Sequence, residues 1–200
     1  TPAVFEDSEW KLFSNKNLDD YYTPKSKLKL TLEIPHNYSA SSELNLNNVV
    51  NKSNTHVFTF EGSDRVDTRL NISTAPFFKF KIGDLNIISN NIDADESLNQ
   101  QINSFKKIVG FLNDRLGVYP HENLMISKVD LKKHPIYGLN LLPGFLSPFS
   151  KEFEYELTVA KNLIRLYLDQ YLRMNPREDY WLKSGLETVL LMDFVDVFTR

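Results

Sequence analysis

Two hundred residues, 42% hydrophobic and 24% charged, have room for one large domain or two small ones, and exclude fibrous, collagen-like or wholly disordered readings. The net charge of −3, from 23 basic and 26 acidic residues, offers no electrostatic footprint for nucleic acid. With no cysteine, disulfides, thiolate zinc sites and cysteine nucleophiles are excluded together, and no apolar run approaches the roughly 18–20 residues that cross a bilayer.

No secretory leader is legible after Thr1. The first 90 residues or so carry strand signals. Residues Lys27 to Ile34 alternate apolar and polar until Pro35, and His56 to Phe60 and Arg69 to Ser73 repeat the pattern more briefly. Phe77 to Ile82 leads through Gly83-Asp84 into Leu85 to Ile88, a strand that turns or bulges at the glycine. The Asn- and Ser-rich stretches 39–54 and 89–95 read as loops.

Beyond Asp95 the period becomes helical. Leu98, Ile102, Phe105, Ile108, Val109, Leu112 and Leu116 form one stripe that stops at Gly117. After a turn at Tyr119-Pro120, short strands are expected over Leu124 to Val129 and around Ile136 to Leu142, where Pro143-Gly144 and Pro148 break the pattern. Two helices should close the chain, Glu152 to about Arg173 and about Trp181 to Phe198, joined at Asn175-Pro176. The first is apolar on nearly all sides, as a central core helix is. Glu152, Glu154 and Glu156 place negative charge where the macrodipole of its first turns favours it.

Catalytic signatures are scarce. There is no Gly-x-Ser-x-Gly elbow and no phosphate loop, and the seven glycines are scattered. The four histidines, His36, His56, His121 and His134, are never four apart, as two ligands on one helical face must be. His121-Glu122 opens like a zinc-protease motif, but Met125 stands where the second histidine belongs. Each histidine reads as a surface or loop imidazole.

Four ordered segments carry a family resemblance: Phe77 to Asp84 with its terminal Gly-Asp, Leu116-Gly-Val-Tyr-Pro120, Gly138-Leu-Asn-Leu-Leu-Pro-Gly144, and Asp179-Tyr-Trp-Leu-Lys-Ser-Gly185. As a set they resemble the aminopeptidase N family of zinc metallopeptidases, the gluzincins that also include leukotriene hydrolase. The resemblance implies an antiparallel β-domain over residues 1–88 and the opening α/β portion of a thermolysin-like catalytic domain over 89–200, an α+β fold. The family is far longer, so the chain is expected to be a fragment or a trimmed member whose last helices expose surface that something else should cover.

The family's zinc motif, His-Glu-x-x-His followed by eighteen residues and Glu, can be laid on the sequence without a gap from the last segment. The third ligand falls on Ser184, the histidines on Lys161 and Arg165, and the general base on Asn162. Two cations and a hydroxyl cannot hold zinc, because like charges in a partly buried site repel by several kcal/mol even at an effective dielectric near ~20. Without the metal no water is activated, and an amide cannot take its proton. The family's glutamate that binds a substrate's amino terminus is matched by Leu141, which cannot pair with an ammonium group.

No catalytic, cofactor or metal residue is therefore assigned. Lys161, Arg165 and Asp169 fall at steps of four, with an Arg165–Asp169 pair possible, and Glu187 follows Ser184 by one turn. Either these four fill the zinc position as a salt-bridge cluster, or they are solvated charges of little energetic consequence. The resemblance implies a pseudopeptidase that binds or scaffolds peptide or protein. The alternatives are a true zinc aminopeptidase, or a piece of one, with its site misaligned, and a structural domain of a membrane or envelope assembly. Sequons at Asn37, Asn51 and Asn71, with the absent cysteine, favour an extracytoplasmic or membrane-associated setting through a longer parent chain.

Overall fold

The computed structural model describes residues 4–6, 8–11, 25–90, 98–136, 139, 149–172 and 179–199. The chain begins with a small hairpin, β1 (Val4–Glu6) on β2 (Glu9–Lys11). Next, β3 (Ser26–Pro35) runs antiparallel to β6 (Thr55–Arg65), which takes β5 (Asn45–Asn51) on its other side. The alternation in β3 sets that register: Leu30, Leu32 and Ile34 face Phe60, Phe58 and His56. A two-stranded sheet, β4 (Ser39–Ser42) on β7 (Leu70–Ser73), lies apart from it.

The expected loop over 39–54 is therefore mostly strand. All seven β5 residues are exposed, so no apolar alternation marks the segment. What holds β5 is its backbone ladder to β6, with a register shift between Leu46 and Asn48.

β8 (Phe78–Ile82) turns at Gly83, with φ of +59°, into β9 (Leu85–Ser89). β9 then pairs in parallel with β10 (Asn123–Ile126). The link between them carries α1 (Leu98–Leu116), whose stripe buries Phe105, Ile108, Val109 and Leu112 while Leu98 stays exposed. The expected boundary at residue 88 falls inside β9. Leu85 and Ile87 of that strand share one core with α1, β10 and the later helices.

The strand expected over Leu124 to Val129 ends at Ile126. Ser127 caps α2 (Lys128–Lys133) in a reciprocal capping box with Asp130, which converts the second half of that segment into helix. Around Ile136 to Leu142, Leu139 N–H donates to Ile136 O at 3.3 Å, a turn rather than a ladder; the rest of that segment, Leu141 included, and Asn175-Pro176 lie outside the described residues.

α3 (Lys151–Tyr171) and α4 (Tyr180–Thr199) complete the fold. α3 is central as expected, with Leu157, Val159, Ala160, Leu163, Ile164 and Tyr167 buried. Sheets that are largely antiparallel, with helices gathered behind β9 and β10, make this an α+β architecture. Among the described residues no helix is long and apolar enough to cross a membrane.

Candidate functional site

α3 is started by Ser150, whose Oγ accepts from Phe153 N–H at 3.2 Å, with Glu152 and Glu154 in the first turn. Glu156 does more than favour the dipole: it accepts from Lys107 Nζ at 2.6 Å and Ser104 Oγ at 3.1 Å, tying α3 to α1. These contacts fix the rotation of α3, and with it the direction in which residues 161, 165 and 169 point.

Those residues meet α4 running antiparallel. Arg165 Nη1 donates to Glu187 Oε2 at 2.8 Å, and Lys161 Nζ lies 3.9 Å from Glu187 Oε1 while donating to Pro135 O at 2.8 Å. Asp169 pairs with Lys183. The expected four-residue cluster is thus three-membered: the anticipated Arg165–Asp169 pair gives way to two cross-helix rungs. The reason is register, since Lys183 and Glu187 stand one turn apart on α4 opposite Asp169 and Arg165, one turn apart on α3. Glu187 is 7% exposed, so the Arg165 pair is screened little by solvent.

Asn162 and Ser184 take no part in this seam through any side-chain bond shown. The Asn162 amide folds back to donate to Thr158 O at 2.9 Å on its own helix. Ser184 is half-buried, and its carbonyl accepts from Thr188 Oγ1 at 2.9 Å.

His134 caps α2 beside the seam. Burial above all, and then Arg165, Lys133, Arg69 and Lys161, press its pKa down to about 4, so the ring is neutral at neutral pH. A neutral imidazole is a metal donor, but its neighbours here are cations. Among the described residues no group of three His, Cys, Asp or Glu side chains converges as a metal would need. At the positions the resemblance assigns to zinc, the donor set does not fit the ion.

A second polar centre, which sequence reasoning missed, joins the β-strands to the helical part. Glu43, in the Ser-rich turn between β4 and β5, is 3% exposed. Its Oε1 accepts from Arg69 Nη1 at 3.2 Å, while buried Arg65 donates from Nη2 to the Glu43 carbonyl at 2.9 Å. Burial pushes the Glu43 carboxyl up to about 7 against the opposing pull of Arg69 and Arg65. Tyr119, from the Leu116 to Pro120 turn, packs its ring 5.0 Å from Tyr167, and its buried hydroxyl is held well above the usual phenol range by desolvation. Nothing in the spacing around Glu43 announces this; only its three-dimensional surroundings do.

Between β7 and the β10–α2 junction lies an open groove of about 430 Å³ lined by Arg69, Asn71, Met125, Ser127 and Asp130 among others. His121 Nε2 is 2.8 Å from Gln170 Oε1, and Glu122 accepts from Asn45 Nδ2 at 3.1 Å.

No protein-family model and no curated protein matches the sequence. Solved structures do match. A point mutant of an M1 zinc metallopeptidase from Deinococcus radiodurans superposes with a TM-score of 0.61 at 14% identity, over 88% of this chain and 43% of that one. The unmutated enzyme gives 0.60 at 12% identity, and the mutant bound to a Tyr-Ser-Ala substrate gives 0.60 at 14%, each over 88% of this chain and 42% of theirs. The chain thus spans less than half the length of these enzymes, and at such identity the likeness is one of fold. In fold, the chain is similar to part of an M1 zinc metallopeptidase.

Proposed function

We propose that this chain is a catalytically inactive, aminopeptidase-like module that binds or scaffolds peptide or protein. The observation that carries the reading is the Arg165–Glu187 pair with Lys161 beside it, occupying the two positions where the resemblance puts the family's imidazoles. A guanidinium that stays charged at any physiological pH cannot donate a lone pair, and its carboxylate partner is already engaged. Asn162 at the general-base position is neutral and bonded to its own helix. What survives is an open groove between β7 and the β10–α2 junction, where exposed Leu70, Ile72 and Val129 stand beside the Asn71 amide and the Arg69 guanidinium, a mixture suited to an extended polypeptide.

Zinc content and hydrolysis test it together. Purified protein equilibrated with zinc should retain well under one equivalent by mass spectrometry and leave amino-acid arylamides intact. Stoichiometric zinc with chelator-sensitive hydrolysis would overturn the reading and favour a genuine aminopeptidase whose ligands lie elsewhere.

A further inference from the structure

Both charged residues in the first half of α4 point to α3, where Lys183 holds Asp169 and Glu187 holds Arg165. Leu190 and Phe194 enter the core on the same side. On the opposite side, Trp181, Leu182, Gly185, Thr188, Val189 and Met192 fall within an arc of about 120° at 3.6 residues per turn, and every one of them is exposed. No charged side chain stands on that arc between Trp181 and Met192.

Trp181, Leu182, Val189 and Met192 are exposed at 72%, 38%, 62% and 67%. With side-chain areas of roughly 150–250 Å², they offer about 450 Å² of apolar surface in one strip, more than half of the ~800 Å² that each partner brings to a standard interface before any polar rim is added. A strip of that size without charge has the composition of an interface centre, not of a solvated helix face.

The order of sizes along the strip points to the partner. Trp181 and Met192 are large and stand at its ends, while Gly185 and Thr188 are small and stand between them. A second α4 laid antiparallel about a two-fold axis between Leu186 and Glu187 sets Trp181 of each copy against Met192 of the other, and Gly185 against Thr188. Leu182 and Val189 then meet along one flank. Helices packed at an interaxial distance near ~8 Å need small residues where they touch, and a Cβ added at Gly185 would meet no atom within 4 Å, so the backbone is open to such an approach. A surface that fits its own copy in this way is what a two-fold pair requires.

We propose that α4 is the two-fold interface of a homodimer, pairing antiparallel with α4 of a second copy through Trp181, Gly185, Thr188 and Met192. The strip faces away from the Arg165 and Glu187 seam, so it is independent of the peptidase-like reading.

Sedimentation equilibrium of the whole chain tests it, with a reversible dimer as the expected result. Val189→Glu and Met192→Glu should each weaken the dimer at least about tenfold. Both positions are exposed, so these variants should fold normally, which far-UV circular dichroism checks. Because the chain has no cysteine, an equimolar mixture of Gly185→Cys and Thr188→Cys chains should form the mixed disulfide on mild oxidation, and neither should cross-link to a Ser53→Cys chain. A monomer at about 0.1 mM, the result expected if a further segment of a longer chain covers α4 instead, would overturn the proposal. So would an unweakened dimer in a folded Val189→Glu variant, or the absence of the mixed disulfide.

Discussion

Arg165 and Glu187 illustrate how a single exchange of residue type redirects a site. With Glu187 almost wholly buried, Arg165→Met strands a carboxylate whose remaining cation, Lys161, is 3.9 Å away and shared with Pro135 O. The expected cost is about 2–4 kcal/mol in urea denaturation at pH 7. Arg165→Met combined with Glu187→Leu should recover most of it, because an apolar pair of similar volume needs no desolvation of charge; a double variant as unstable as the single one would show that the pair is not the cause. Glu43 adds a pH dependence. Its folded pKa, about 7, lies above the ordinary 4.5, so the folded state holds a proton that the unfolded state has already lost. Its contribution is therefore fully present below pH 4.5 and fades as pH rises through 7, by an order of 2–3 kcal/mol. Glu43→Gln should flatten that part of the stability profile between pH 5 and 8, measured by denaturation at each pH, whatever its effect on the absolute level.

Elements were legible where side chains repeat with a period and obscure where the backbone alone does the holding. The stripe from Leu98 to Leu116 and the apolar run of α3 predicted those helices to within a few residues, because burial along one face demands a 3.6-residue repeat. β5 escaped notice because it lies on a sheet edge with no buried face, and α2 because a Ser-x-x-Asp box matters more there than the apolar residues around it. Gly117, the predicted stop of α1, has a φ of +98°, and its N–H donates to Asn113 O at 3.0 Å. A Cβ there would also lie 3.3 Å from the Tyr171 hydroxyl, which donates to Val118 O. Gly117→Ala should thus lose about 1–2 kcal/mol and lower the melting temperature by about 2–8 °C in calorimetry. An unchanged melting temperature would mean that the turn relaxes freely.

At the level of the whole molecule, one core unites β9, β10, α1, α3 and α4. Leu163, fully buried at its centre, should cost about 2–5 kcal/mol as Leu163→Ala, a large share of the 5–15 kcal/mol that typically separates folded from unfolded chains. Near- and far-UV circular dichroism should then shift together on heating; separate transitions would show that the strands around β3, β5 and β6 fold independently of this core. α4 carries apolar residues on more than one face and leaves Trp181, Val189 and Met192 exposed at 72%, 62% and 67%. That is unusual for a helix with one solvated face.

Sequence alone determined the alternation of strand and helix, the exclusion of disulfides, and the residue types at positions 161, 162, 165 and 184. Those follow from composition, period and spacing, which need no knowledge of which distant segments touch. Tertiary structure decided partnership. It gave Arg165 to Glu187 and Asp169 to Lys183, joined β9 to β10 across α1, buried Glu43 beside two arginines, and laid His36 against His56. A side chain's charge state and usefulness depend on neighbours that are a dozen or more residues away in the chain, and only packing brings such neighbours within a few ångströms.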